Sequence, residues 1–183
     1  MNKLINKFSH NFYLSNTEPC SYFDNKEEKK IFTVMSNAKK SSEYESLIKY
    51  GFRRSHNILY NQVCDKCMLC KSIRINCESY QPRKSQKRII KKNQNTYLKK
   101  LKTKTSLKQF KLFKEYLEFK HDQSEMNEMD YNDYKKMLEA PGINTKIYEY
   151  HSNKELVACV ISDFLDDSIS MVYSFYSLSL IHI

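Results

Sequence analysis

The last third of the chain does most to limit its fold. Three runs, "TKIYEYH" (145–151), "ELVACVISDFL" (155–165) and "SISMVYSFY" (168–176), are rich in β-branched and aromatic residues. Each has the length and alternation of a strand. Asn153 and Asp166-Asp167 fall between them, where turn residues belong. The connections are too short for crossovers, so an antiparallel meander is expected. Two helices are expected before it. "SLKQFKLFKEYLEFKH" (106–121) carries Leu107, Phe110, Phe113 and Leu117 as an apolar stripe, and His121 at its end suits the helix dipole. "DYNDYKKMLEA" starts at Asp130 and is stopped by Pro141-Gly142. Helices followed by a meander give an α+β class.

The first half is less regular. Residues 1–19 show no pattern. "SSEYESLIKYG" (41–51) reads as a helix capped by Ser41 or Ser42, with Tyr44, Leu47 and Ile48 on one face and Gly51 as its stop. "FRRSHNILY" (52–60) reads as extended chain and "SIRINCESY" (72–80) as a strand. "RKSQKRIIKKNQ" (83–94) has helical spacing, but its polarity argues against a helix that stands alone. "LKKLKTKTS" (98–106) reads as a boundary. Two domains are therefore expected, residues 1–95 and 96–183.

Charge is segregated. Residues 71–104 hold twelve Lys or Arg and one acid, Glu78, so 12 − 1 = +11. The rest of the chain has 31 − 12 = 19 basic and 21 − 1 = 20 acidic residues, or −1. A basic segment this concentrated points to a polyanion, and nucleic acid is the commonest. Arg53 and Arg54 can extend the same surface, because arginine suits bidentate phosphate contacts. A solvated basic face is the plain alternative. The chain shows no secretory h-region at its start and no run of about 18 apolar residues, so a soluble, cytoplasmic protein is expected.

"CDKCMLC" (64–70) places Cys64, Cys67 and Cys70 at every third position. In a reducing compartment such clusters more often bind metal than form disulfides. Zinc takes four ligands, and so does an iron–sulfur cluster. Cys20 is the natural fourth thiol and Cys77 its rival, while buried cysteines without metal are the plain alternative. Cys159 sits in an apolar run and reads as core. With two glycines there is no Gly-rich phosphate loop, and no Ser/His/Asp triad is evident.

In combination these segments resemble the bacterial aminoacyl-tRNA–protein transferases, the leucyl- and arginyl-transferases of the N-degron pathway. The carrying residues are "FYLSNTEPCSYF" (12–23), "YGFRRS" (50–55), "CDKCMLCKSIRI" (64–75) and "YQPRKSQKRIIKKN" (80–93). In the second half they are "LFKEYLEFKH" (112–121), "LVACVISDFL" (156–165) and "SMVYSFY" (170–176). The resemblance implies transfer of leucine or arginine from charged tRNA to proteins that start with Asp or Glu. It implies an N-terminal domain with the cysteine motif and a C-terminal acetyltransferase-like (GNAT-like) domain, acting as a monomer without ATP or nicotinamide. Arg83, Lys84, Lys87, Arg88, Lys91 and Lys92 would bind tRNA, and Arg53 and Arg54 the acceptor carboxylate. Tyr22, Tyr173 and Tyr176 would line the pocket; no general base is nominated.

Two departures stand out. Lys120-His121 replaces the family's Arg-His, and after Tyr176 the chain reads "SLSLIHI" where the family continues with a turn, a helix and further strands. A C-terminally truncated acyl-transfer domain is the expectation, with residues 178–183 foreign to the pattern. A metal-stabilised RNA-binding module without catalysis is the competing reading. A redox sensor built on the thiols is a third.

Overall fold

The structure is a computed structural model and describes residues 11–35, 41–102, 104–121, 125–139 and 142–178. It divides into two compact units, residues 1–73 with 141–143, and residues 74–140 with 144–183. Both mix helix and antiparallel sheet, as an α+β class requires.

The first unit is built on a four-stranded sheet in the order β1 (Tyr13–Leu14), β4 (Lys30–Val34), β6 (Ile58–Gln62), β5 (Arg53–Ser55). A small hairpin, β2 (Glu18–Pro19) with β3 (Glu27–Glu28), lies beside it in sequence. Helix α1 (Ser41–Lys49) buries Tyr44 and Leu47, while Ile31, Thr33 and Leu59 are buried on the sheet. Gly51 ends α1 as expected. Its N–H donates to Ile48 O, the Phe52 N–H donates to Leu47 O, and its φ of 89° is left-handed. That is a Schellman stop, which glycine reaches without a Cβ penalty.

Two expectations in this region are corrected. "FRRSHNILY" is a hairpin, because Ser55 pairs with Ile58 and the chain reverses at His56-Asn57, with His56 at φ 52°. "SIRINCESY" is not a strand: residues 71–76 are coil, 77–79 turn, and Ile73 is 86% exposed. Alternation made a two-faced segment there, but no strand of the described residues pairs with it, and an unpaired strand leaves its backbone groups to water.

The second unit carries the sheet β10–β9–β8–β7, antiparallel throughout. Its strands are β7 (Tyr97–Lys102), β8 (Thr145–Ser152), β9 (Glu155–Phe164) and β10 (Ile169–Tyr176). The predicted meander is present, and Asn153 and Lys154, at φ 50° and 68°, form the two-residue β8–β9 turn. Strand β7 corrects the reading of "LKKLKTKTS" as a boundary; it pairs with β8 along its whole length. Helices α3 (Leu107–Lys120) and α4 (Tyr131–Leu138) contribute to one core with the sheet. Phe113, Leu117, Tyr134, Ile147, Ile161 and Phe175 are fully buried in it. Leu107, expected on the apolar stripe, is 68% exposed in the first turn of α3. Ser106 and Gln109 cap that turn reciprocally, and the Asp130 carboxylate accepts the Asp133 N–H at 2.8 Å, so α4 starts where expected.

Helix α2 (Lys84–Lys92) buries no residue. The Gln86 side chain accepts the Arg83 N–H at 2.8 Å, and the Thr96 N–H donates to Asn93 O in the turn that leads to β7. No helix of the described residues is long and apolar enough to cross a membrane. Of the closing residues 178–183, only Leu178 lies within the described residues.

Candidate functional site

The residues singled out by sequence fall into both units. In the first, Arg53 and Arg54 are neighbours on β5 and so face opposite ways. Arg53 is half-buried. Arg54 is buried, 6% exposed, and one of its guanidinium nitrogens donates to His56 O at 3.0 Å. Arg54 thus braces the β5–β6 turn. Tyr22 stands in the turn between β2 and β3 and is 68% exposed.

The cysteine loop leaves β6 and is tied back in three places. The Val63 N–H donates to Lys29 O, Cys64 Sγ lies 4.0 Å from the same carbonyl, and Ser72 Oγ donates to Gly51 O at 2.8 Å. Cys20, Cys64, Cys67 and Cys70 are half-buried free thiols, and Cys77 is exposed. Among the described residues no three His, Cys, Asp or Glu side chains converge as a metal-holding group. Cys159 is in the core, as expected.

In the second unit, Arg83, Lys84, Lys87, Arg88, Lys91 and Lys92 are all exposed along α2 or at its start. Ile89 and Ile90 are exposed with them. Tyr176 lies at the end of β10 and lines an open cavity of about 480 Å³ with Glu115, Glu118, Phe119, Ser177 and Leu178. Its ring meets Tyr116 edge-on, with centroids 5.0 Å apart. Burial, then Tyr176, raises the Tyr116 pKa. Tyr173 packs against Phe113, and its buried hydroxyl has no partner among the described residues. Burial pushes that hydroxyl up to about 12. Raised phenols stay protonated near neutral pH and can donate.

Sequence reasoning missed a buried polar chain. Glu149 accepts from Gln109 Nε2 at 2.8 Å on one oxygen and faces His151 Nε2 at 2.9 Å on the other. Gln109 is fully buried and Glu149 nearly so. The His151 ring stacks on Tyr97 across the β7–β8 pair, with centroids 5.3 Å apart and planes 16° apart. The signal available was "EYH", which puts Glu149 and His151 on one strand face. Tyr116, next to the candidate Tyr176, was also missed; it is the one i+3 from Phe113 on α3.

Comparison with known proteins adds a family. Residues 18–88 match the profile "Arginine-tRNA-protein transferase, N terminus", and residues 108–182 match "Arginine-tRNA-protein transferase, C terminus". The chain is 33% identical over 180 residues to an aspartate/glutamate leucyltransferase of Paracoccus denitrificans, covering 90% of this chain and 63% of that one. It is 34% identical over 169 residues to the Jannaschia protein of the same name, covering 91% and 59%. The Agrobacterium fabrum leucyltransferase is 37% identical over 177 residues, covering 91% and 70%. The chain thus spans about 60% of the length of the first two relatives.

Proposed function

The chain belongs to the arginine-tRNA-protein transferase family, and on that premise we propose that it transfers leucine from aminoacyl-tRNA to proteins beginning with Asp or Glu. Leucine is preferred to arginine as donor because the relatives it matches are named leucyltransferases of aspartate and glutamate. That likeness, at both ends of the chain, is the observation that carries the reading. The product would be a protein marked for degradation in the cytoplasm, where charged tRNA is found.

The chemistry asks little beyond alignment. The aminoacyl ester is already activated, so no ATP is consumed. The acceptor's α-amine, with an ordinary pKa of roughly 8, attacks the ester carbonyl in its neutral form. The new C–N bond forms, the bond to the ribose oxygen breaks, and that oxygen leaves with the amine's proton. We read the second unit as the acetyltransferase-like acyl-transfer domain. The cavity lined by Tyr176 is the proposed centre: Glu115 and Glu118 suit an approaching ammonium, and the Tyr176 hydroxyl suits a developing oxyanion. The exposed cations of α2 suit the tRNA backbone. Of the two β5 arginines, Arg53 is the better candidate for an anion, since Arg54 is committed to His56 O.

The test is transfer of labelled leucine from charged tRNA to a peptide starting with Asp, and to the same peptide with its amine acetylated. Transfer to the free amine alone is expected. RNA binding with no transfer would select the alternative, a non-catalytic RNA-binding module, which the full exposure of α2 also suits.

A further inference from the structure

We propose that the Tyr97–His151 stack at the β7 edge is a nucleobase platform for the single-stranded end of an RNA. The proposal rests on the RNA-directed reading above and adds a contact outside the basic helix.

Four observations converge on it. First, Tyr97 is 51% exposed although one face of its ring lies against His151. An aromatic ring with one face supported and surface left open can continue a stack with a base. Second, the support is rigid. Glu149 holds His151 Nε2 at 2.9 Å, and Gln109 holds Glu149 at 2.8 Å. Gln109 is fixed in turn, because its Oε1 accepts the Ser106 N–H and its Nε2 also donates to Lys104 O. A ring oriented before the ligand arrives loses less entropy on binding. Third, β7 is the edge of its sheet, with β8 as its partner among the described residues. Fourth, cations lie close to it along the chain. Lys99 is exposed two residues along the same strand face, and Lys91 and Lys92 precede Tyr97 by one hydrogen-bonded turn. Backbone cations beside an aromatic platform suit a single strand; in a duplex the bases are stacked on one another and closed to side chains.

Binding of the full chain to a labelled oligoadenylate of about 12 nucleotides, within the span such surfaces cover, and to duplex RNA of equal length tests the proposal. Tyr97→Leu should weaken the single strand about tenfold or more, leave the duplex unchanged and keep the salt dependence. Tyr97→Phe, which keeps the ring, should bind within about twofold of wild type. Equal single-strand binding by Tyr97→Leu overturns the platform, as does equal loss for strand and duplex. Failure of the wild-type chain to bind either RNA would instead sink the RNA reading itself, and the platform with it.

Discussion

Single residues carry two sharply testable consequences of this packing. Gly51 ends α1 at φ 89°, and a Cβ built there would meet Ser72 Oγ at 3.4 Å. That oxygen is the one that ties the cysteine loop to Gly51 O. Gly51→Ala should therefore cost about 1–2 kcal/mol through left-handed backbone alone. Gly51→Asn should cost less, since Asn tolerates that region. Urea unfolding measures both, and equal losses would count against the left-handed stop. The second consequence concerns alkaline pH. Burial, then Glu149, pushes the Cys159 thiol from 9.0 up to about 12. Burial, then Tyr116, pushes Tyr173 from 10.0 up to about 12, and burial raises Tyr134 as well. In each case the folded chain keeps a proton that the unfolded chain has released. Stability is then full below the unfolded thiol's 9.0 and falls as pH rises toward 12. Urea midpoints should decline from about pH 9 upward, and Cys159→Val should flatten the first part of that decline. A midpoint unchanged at about pH 10.5 contradicts the burial of these groups.

At the scale of elements, α2 differs from every other helix described. It is nine residues long, buries none of them, and has cations at both ends. Short helices without tertiary packing are marginal in water. Its amides should exchange hydrogen fastest of the four helices, and those of α3, with Phe113 and Leu117 fully buried, slowest. Added RNA should slow α2 specifically. Protection of α2 equal to that of α3 without RNA would mean that something covers it. The same contrast explains what the sequence could and could not reveal. The β8–β9–β10 meander was legible because its strands carry their own alternation and its turns their own residues, Asn153 above all. Strand β7 was not legible: half of "YLKKLK" is lysine, and it is a strand because β8 offers an edge. "SIRINCESY" erred the other way, with alternation present and no edge to use. The hairpin in "FRRSHNILY" was hidden because its turn uses His56 rather than glycine. The site divides likewise. The cationic run on α2 is local and was read directly. The Glu149 chain depends on Gln109, forty residues away, and the local "EYH" does not announce that partner.

The whole molecule carries +10, yet residues 71–104 alone carry 12 − 1 = +11 and everything else sums to −1. Two physical pictures follow, and they differ in a measurable way. If total charge draws the polyanion, any three lost cations should matter equally. If the segment is the binding surface, only its own cations release counterions from the phosphates. Replacing Lys87, Arg88 and Lys91 by Gln lowers the net charge from +10 to 10 − 3 = +7. Replacing Lys111, Lys135 and Lys136 by Gln lowers it by the same amount. Those three lie on α3 and α4, where each is within 4 Å of an acid: Glu115, Glu139 and Asp133. The first triple variant should lose about 2–3 units of slope in a plot of log affinity against log salt, close to one per phosphate contact. The second should keep the wild-type slope. Because α2 packs nothing into a core, the first variant should also unfold at the wild-type urea concentration, so that a loss of binding reports lost contacts and not lost fold. Equal slopes for both variants would assign the attraction to net charge, and the basic segment would then be no more than the place where that charge happens to sit.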